Sequence, residues 1–267
     1  MVANPSAKPP TSPDIAEWQE WMEPDISELI IEDDTPVDSL IQEKHQRFLV
    51  YCLYSSLKRD VPFFATANVG LFYVAKNPAL VPDVMLSLGV PVPQDWSQKR
   101  NRSYFIWEIG KPPDVVIEIV SNKKGEELGD KLDKYARAGV IYYAVFDPLL
   151  LLGSKKIQVY ALHEGSYRLL DSTWMEKVQL SLVLWEGEFE GGTFEWLRWQ
   201  DAEGNLLLTG DEQAQQERQR TSQAEERASQ AEERTSQAEE RASQAEERAA
   251  RLAELLRQQG LNPDDLL

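Results

Sequence analysis

Apolar positions recur at helical spacing from residue 38 onward. Leu40, Ile41, Phe48, Leu49, Cys52, Leu53 and Leu57 share one face, and Asp38 stands where an N-cap is expected. The period then changes. Phe63 to Val74 reads as strand with an interruption at Asn68-Val69-Gly70, and Val84 to Leu88, Tyr104 to Ile109 and Val115 to Val120 read as further strands. The helical period returns over Glu126 to Ala138, where Leu128, Leu132 and Tyr135 form an apolar stripe and Gly139 marks the stop. Val140 to Phe146 follows at once as an apolar, β-branched and aromatic strand. Strand, helix and strand in that order predict a parallel pair joined by a right-handed crossover. After Pro148, Ile157 to Leu162, Tyr167 to Leu170 and a Trp-rich stretch from Leu180 to Leu208 suit antiparallel strands. The expected class is α/β, with a mixed central β-sheet flanked by helices.

From Thr221 the period becomes seven: TSQAEER, ASQAEER, TSQAEER and ASQAEER, then AARLAELLRQ. Such a repeat predicts a long helix. With Thr221, Ala228, Thr235 and Ala242 at position a, Ala224 and its repeats fall at d, Glu225 and its repeats at e, Arg227 and its repeats at g. No Glu lies three or four residues from an Arg within these repeats. In a parallel pair, Arg227 would face Glu232 and Arg234 would face Glu239; an antiparallel pair would oppose like charges. The seam is weak, because Ala and Thr bury little area at about 25 cal/mol per Å². A solvated single helix and a parallel homo-oligomer both remain open.

The chain therefore divides into an acidic lead-in (1–37), a domain over 38–209 ending in the Trp-rich segment, and the heptad helix (210–267). Trp18, Trp21 and Met22 could pin the lead-in to the body. The net charge of −17 belongs mostly to the two ends: −9 over residues 1–40, −6 over 211–267 and −2 between them. There is no basic stripe, so tight non-specific binding to nucleic acid is not expected. Contact through bound metal and a local patch stays open. One cysteine, Cys52, excludes an intramolecular disulfide and fits a cytoplasmic protein. The opening residues lack the pattern of a secretory signal, and no apolar run approaches the roughly 18 residues of a membrane span. His45 and His163 are too few and too far apart for a zinc site.

Two Pro-Asp pairs open apolar runs: Pro82-Asp83 before Val84-Met85-Leu86, and Pro113-Asp114 before Val115-Val116-Ile117-Glu118-Ile119-Val120. Glu118 stands inside a strand of the kind buried on both faces. A carboxylate there needs a cation, a metal or a raised pKa. Alternation puts Asp114, Val116, Glu118 and Val120 on one face, yet Asp114 and Glu118 lie about 13 Å apart at roughly 3.3 Å per residue. Asp114 stays an additional candidate, but Asp83 is the better partner for Glu118 if the two strands are neighbours. Two carboxylates on adjacent strands, with waters, are a usual way to hold Mg²⁺ or Mn²⁺ for phosphodiester hydrolysis. Lys131 lies on the flank of the crossover helix that faces the sheet, where it could stabilise transition-state charge; Lys134 points away, and Lys123 and Lys124 are possible substitutes. Tyr135 is expected in the core, and Trp185, Trp196 and Trp199 in the core or at an interface, with stacking on a base left open.

The run PPDVVIEIVSNKKGEELGDKLDKYARAGVIYYAVFDP, with the earlier Val81-Pro82-Asp83-Val84, resembles the Uma-type restriction endonuclease family over roughly residues 38–172. That family is placed in the PD-(D/E)XK superfamily. The resemblance implies a restriction-endonuclease-like core, a Mg²⁺-dependent endonuclease acting on DNA, Asp83 and Glu118 as metal ligands, and Glu43 as a possible third acid. The superfamily pattern expects Lys two residues after the second acid, and Val120 occupies that position. Lys131 would then supply the missing cation. The other expectation, from a different class, is a non-catalytic scaffold that keeps the nuclease fold and assembles through the heptad helix.

Overall fold

The computed structural model describes residues 39–74, 79–98, 101–121 and 127–258. The lead-in with Trp18, Trp21 and Met22, and Lys123 and Lys124, lie outside the described residues. The first described helix, α1 (Leu40–Ser56), is capped by Ser39 rather than Asp38. The Ser39 hydroxyl accepts the Gln42 N–H at 3.3 Å, and the Ser39 N–H donates to Gln42 Oε1 at 3.0 Å. This reciprocal box satisfies two otherwise orphaned donors, which the Asp38 reading overlooked.

Six strands make the central sheet, in the order β1 (Phe63–Ala67), β3 (Val84–Leu88), β5 (Val115–Ile119), β6 (Tyr142–Phe146), β7 (Ile157–His163) and β8 (Ser166–Leu169). The pair β5–β6 is parallel and all other neighbours are antiparallel, so the sheet is mixed. Helix α3 (Asp130–Ala138) is the crossover between the parallel strands. It starts at Asp130, after a turn at residues 127–129, and half-exposed Leu128 stays out of its apolar stripe. Gly139 ends it at φ 82°, a left-handed conformation that favours glycine.

Val115, Ile117 and Ile119 face one way, toward Phe48, Leu49, Cys52 and Leu53 of α1. The same core takes in the sheet of β9 (Trp174–Met175), β10 (Leu180–Phe189) and β11 (Gly192–Gln200), with Trp196 and Trp199 buried in it. Val116 and Val120 face the other way, toward Tyr135 and Ala138 of α3 and Tyr143 of β6. Both faces of β5 are therefore covered, which explains its continuous apolar run.

Two expected strands differ. Past Asn68, at φ 52°, the chain leaves the central sheet, and β2 (Leu71–Phe72) pairs in parallel with β4 (Tyr104–Phe105). The strand expected to reach Ile109 stops at Phe105, and α2 (Ile106–Ile109) is one helical turn closed by Gly110. Ile106 and Ile109 are three apart, a helical spacing that the strand reading missed. The last described element is α4 (Gly210–Gln258), a 49-residue helix that buries none of its residues. No described helix is long and apolar enough to cross a membrane.

Candidate active site

Val84 lies opposite Ile117 in the β3–β5 ladder, and one more step of that antiparallel register sets Asp83 across from Glu118. Both are buried, at 6% and 2% exposure. Asp83 is oriented from two sides. Its Oδ2 accepts the Ile119 N–H at 2.6 Å, and its Oδ1 accepts Gln46 Nε2 of α1 at 2.7 Å. Gln42, one turn earlier, donates to the Ile119 carbonyl at 3.2 Å. Asn68, at the turn that ends β1, trades amide hydrogen bonds with Gln46 at 2.9 and 3.2 Å.

Glu118 points to the α3 face of the sheet. Tyr135 donates its hydroxyl to Oε1 at 2.6 Å, and Lys131 Nζ donates to Oε2 at 2.9 Å. These two residues are four apart on one helix, so a single turn delivers both donors. Lys131 also reaches Glu127 Oε1 at 3.3 Å. The buried Glu127 Oε2 has no partner among the described residues.

Burial, then the neighbouring Glu118, pushes the Asp83 carboxyl up to about 8. Burial likewise raises Glu118, with Lys131 and Tyr135 opposing. For Lys131 burial works downward, but Glu118, Glu127 and Asp83 outweigh it and hold the ammonium above its ordinary range. Two buried carboxyls, Glu118 and Glu127, thus bond one ammonium, and Asp83 stands beside Glu118. A dication would favour the charged forms of Asp83 and Glu118 that burial opposes, and the orphaned Glu127 oxygen also fits one. Among the described residues no three His, Cys, Asp or Glu side chains are spaced to hold a metal ion. A hard ion here would rest on Asp83 and Glu118 and keep several waters, the habit of Mg²⁺.

The structure brings together Asp83, Glu118 and Lys131, and keeps two other candidates apart. Asp114 accepts Lys111 Nζ at 2.6 Å and the Leu88 N–H at 2.7 Å, which ties the start of β5 to the end of β3. Glu43 pairs with Arg47, also on α1, at 3.0 Å in a solvent-exposed bridge, and the α1 residue that reaches Asp83 is Gln46. Lys134 pairs with Asp130. Tyr135, expected only in the core, is buried and also bonds Glu118. Gln46 and Glu127 escaped the sequence reading. The available signals were polar Gln42, His45 and Gln46 inside the apolar stripe of α1, and a Glu four residues before Lys131.

Residues 28–187 match the family described as Uma2, putative restriction endonuclease. A crystal structure described as a putative nuclease from Anabaena variabilis ATCC 29413 is 16% identical, with 52% of this chain and 71% of that chain covered and a TM-score of 0.38. No curated protein matches this chain.

Proposed function

Because the chain belongs to the Uma2 family of putative restriction endonucleases, we propose that it hydrolyses DNA phosphodiester bonds with Mg²⁺ or Mn²⁺ at Asp83 and Glu118. The observation that carries this reading is the pair of buried carboxyls on adjacent strands with Lys131 set against one of them. When bound, the ion supplies Lewis-acid charge at the phosphoryl oxygens and lowers the pKa of a water. The remaining work falls to side chains. Gln46 and the Ile119 N–H hold the Asp83 carboxyl in one orientation, and Tyr135 does so for Glu118. The side chain of Lys131 keeps 34% of its surface open to solvent, so its ammonium can meet the non-bridging oxygens of an arriving phosphate. Its charge opposes the extra negative charge of the pentacoordinate transition state.

DNA is the proposed substrate, and the buried free thiol of Cys52 supports a cytoplasmic setting. Self-association through α4 is part of the reading and is argued separately below.

A scaffold without catalysis is the second reading. It is favoured by one observation: all four carboxylate oxygens of Asp83 and Glu118 already accept hydrogen bonds within the chain. A satisfied buried network can serve structure alone. Incubating purified protein with supercoiled and single-stranded DNA and Mg²⁺ or Mn²⁺, beside Asp83→Ala and Glu118→Ala, separates the two. Metal-dependent cleavage lost in both variants supports the nuclease. Absence of cleavage by folded protein on every substrate supports the scaffold, and cleavage that survives both substitutions removes these residues from the site.

A further inference from the structure

The body holds the first turn of α4 firmly. Arg198, 1% exposed, bonds both carboxylate oxygens of Glu212 at 2.8 Å, and Thr209 and Glu212 form a reciprocal cap. Gln213 donates to the Ser55 carbonyl at 2.9 Å and to the Ser56 hydroxyl at 2.7 Å, at the end of α1. Beyond this anchor no residue of the helix is buried, and none bonds to the body among the described residues. Its heptad seam starts at Thr221, eight residues past Gln213, so about 12 Å of helix at 1.5 Å per residue separates it from the body.

The charges on the free part are unsatisfied in a regular way. At the f positions Glu226, Glu233 and Glu240 each accept from a glutamine one turn on, Gln230, Gln237 and Gln244. By contrast Glu225, Glu232, Glu239 and Glu246 at e, and Arg227, Arg234 and Arg241 at g, make no side-chain hydrogen bond or ion pair among the described residues. Their spacing forbids such pairing within one helix. Arg220, also at g, has only a 3.9 Å contact to Glu217. The seam runs on through Leu252, 60% exposed on a helix with no buried residue.

We infer that α4 pairs in parallel and in register with α4 of a second copy of this chain. Each g arginine then meets the e glutamate of the partner's next heptad: Arg220 with Glu225, Arg227 with Glu232, Arg234 with Glu239 and Arg241 with Glu246. Both directions of exchange occur, because the pair is symmetric. An antiparallel pair would set arginine on arginine and glutamate on glutamate. Ala and Thr at a and d let the backbones approach closely, and Leu252 and Leu256 close the far end. Parallel pairing places both anchored bodies at the same end of the rod. The inference stands on the helix alone and does not require the nuclease reading.

The test uses the full chain and reads mass and cross-linking, so it is independent of any cleavage assay. Sedimentation at micromolar concentration should give a dimer that dissociates as salt rises. Changing Arg220, Arg227, Arg234 and Arg241 to Glu should give a monomer, as should changing Glu225, Glu232, Glu239 and Glu246 to Arg. Mixing these two variants should restore a dimer of one of each. For orientation, Ala224→Cys and Ala245→Cys should each form a disulfide with its own kind on oxidation. A monomeric wild type overturns the inference. So does a dimer unaffected by the charge changes, or cross-linking seen only when the two cysteine variants are mixed.

Discussion

Lys131 Nζ sits 2.9 Å from Glu118 Oε2, although thirteen residues and a change from strand to helix separate them. Two residues after Glu118, the position where the superfamily pattern expects a lysine, stands Val120, buried beside Tyr135 and Tyr143. The crossover brings a different lysine to this carboxylate. Helix α3 packs over the face of β5 that carries Glu118, and its first turn brings an ammonium to the carboxylate from above the sheet.

Replacing Lys131 with Met should lower kcat/KM for DNA cleavage by about 10²–10³-fold, the usual effect of removing a charge-stabilising donor. The stability loss should stay below the roughly 3–5 kcal/mol of a broken fully buried pair, because Glu118 can take a proton once its cation is gone. Steady-state kinetics and thermal denaturation of the same preparation check both. Wild-type kcat/KM in the Met variant would exclude Lys131 from the chemistry.

Asp83 ties stability to pH. Its folded pKa of about 8 lies above the ordinary 3.8, so the folded state holds a proton that the unfolded chain releases. This contribution is complete below the unfolded value and is lost as pH rises from about 3.8 to about 8. Asp83→Asn, unable to ionise, should therefore gain Tm relative to wild type across that window in metal-free buffer. The Gln46 and Asn68 amides can rotate to accept the new NH₂. Mg²⁺ should stabilise wild type increasingly with pH and leave the variant unchanged. Parallel Tm curves for the two proteins in metal-free buffer would defeat the prediction.

Gln46 and Glu43 lie three residues apart on α1, yet only Gln46 touches Asp83. Gln46→Leu should weaken Mg²⁺ binding by about 10–100-fold, as loss of a group that orients a ligand commonly does. Glu43→Ala should leave it unchanged and shift stability by less than about 0.5 kcal/mol, since only an exposed ion pair is lost. Titrating Mn²⁺ by calorimetry distinguishes the two residues. The reverse ranking would restore Glu43 as the third acid.

The contrast between Gln46 and Glu43 also marks what was legible in the chain. Strand periods placed β3, β5 and β6 within two residues, and the heptads marked out α4. The apolar stripe of α3 predicted which face Lys131 would present, because helix period and burial are local properties. Register is not local. Whether Asp83 meets Glu118 depends on β3 lying beside β5 in one alignment, and a slip of one residue would send Asp83 to the opposite face. Gln46 was invisible for a related reason: a glutamine in an apolar stripe declares burial, but its partner comes from a strand thirty-seven residues on. Tyr135 looked like core because it is core, and only its hydroxyl reveals the second duty.

The joint between the body and α4 yields the last prediction. Arg198 stacks between the Phe48 and Trp185 rings, 5.1 and 4.6 Å from their centroids, and among the described residues Glu212 is its only anionic partner. Burial alone would raise the Glu212 carboxyl, but the Arg198 hydrogen bonds, with help from Thr209, more than offset it and hold the group below its ordinary range. A depressed folded pKa contributes stability above the unfolded value and loses it as pH falls through the folded one. The joint should therefore be intact at neutral pH and loosen below the ordinary glutamate range near 4.5. Glu212→Ala removes the charge at every pH and leaves a guanidinium buried without a counterion, at about 2–3 kcal/mol, less than a fully buried pair because Glu212 is partly exposed. Adding Arg198→Met should recover part of that loss, since no stranded charge remains and the aromatic slot is filled. Hydrogen exchange at residues 207–213 should quicken in Glu212→Ala at pH 7 and approach the wild-type rate in the double variant. If the double variant is the less stable of the two, the charge of Arg198 is not what makes Glu212 necessary, and packing alone fixes the helix to the body.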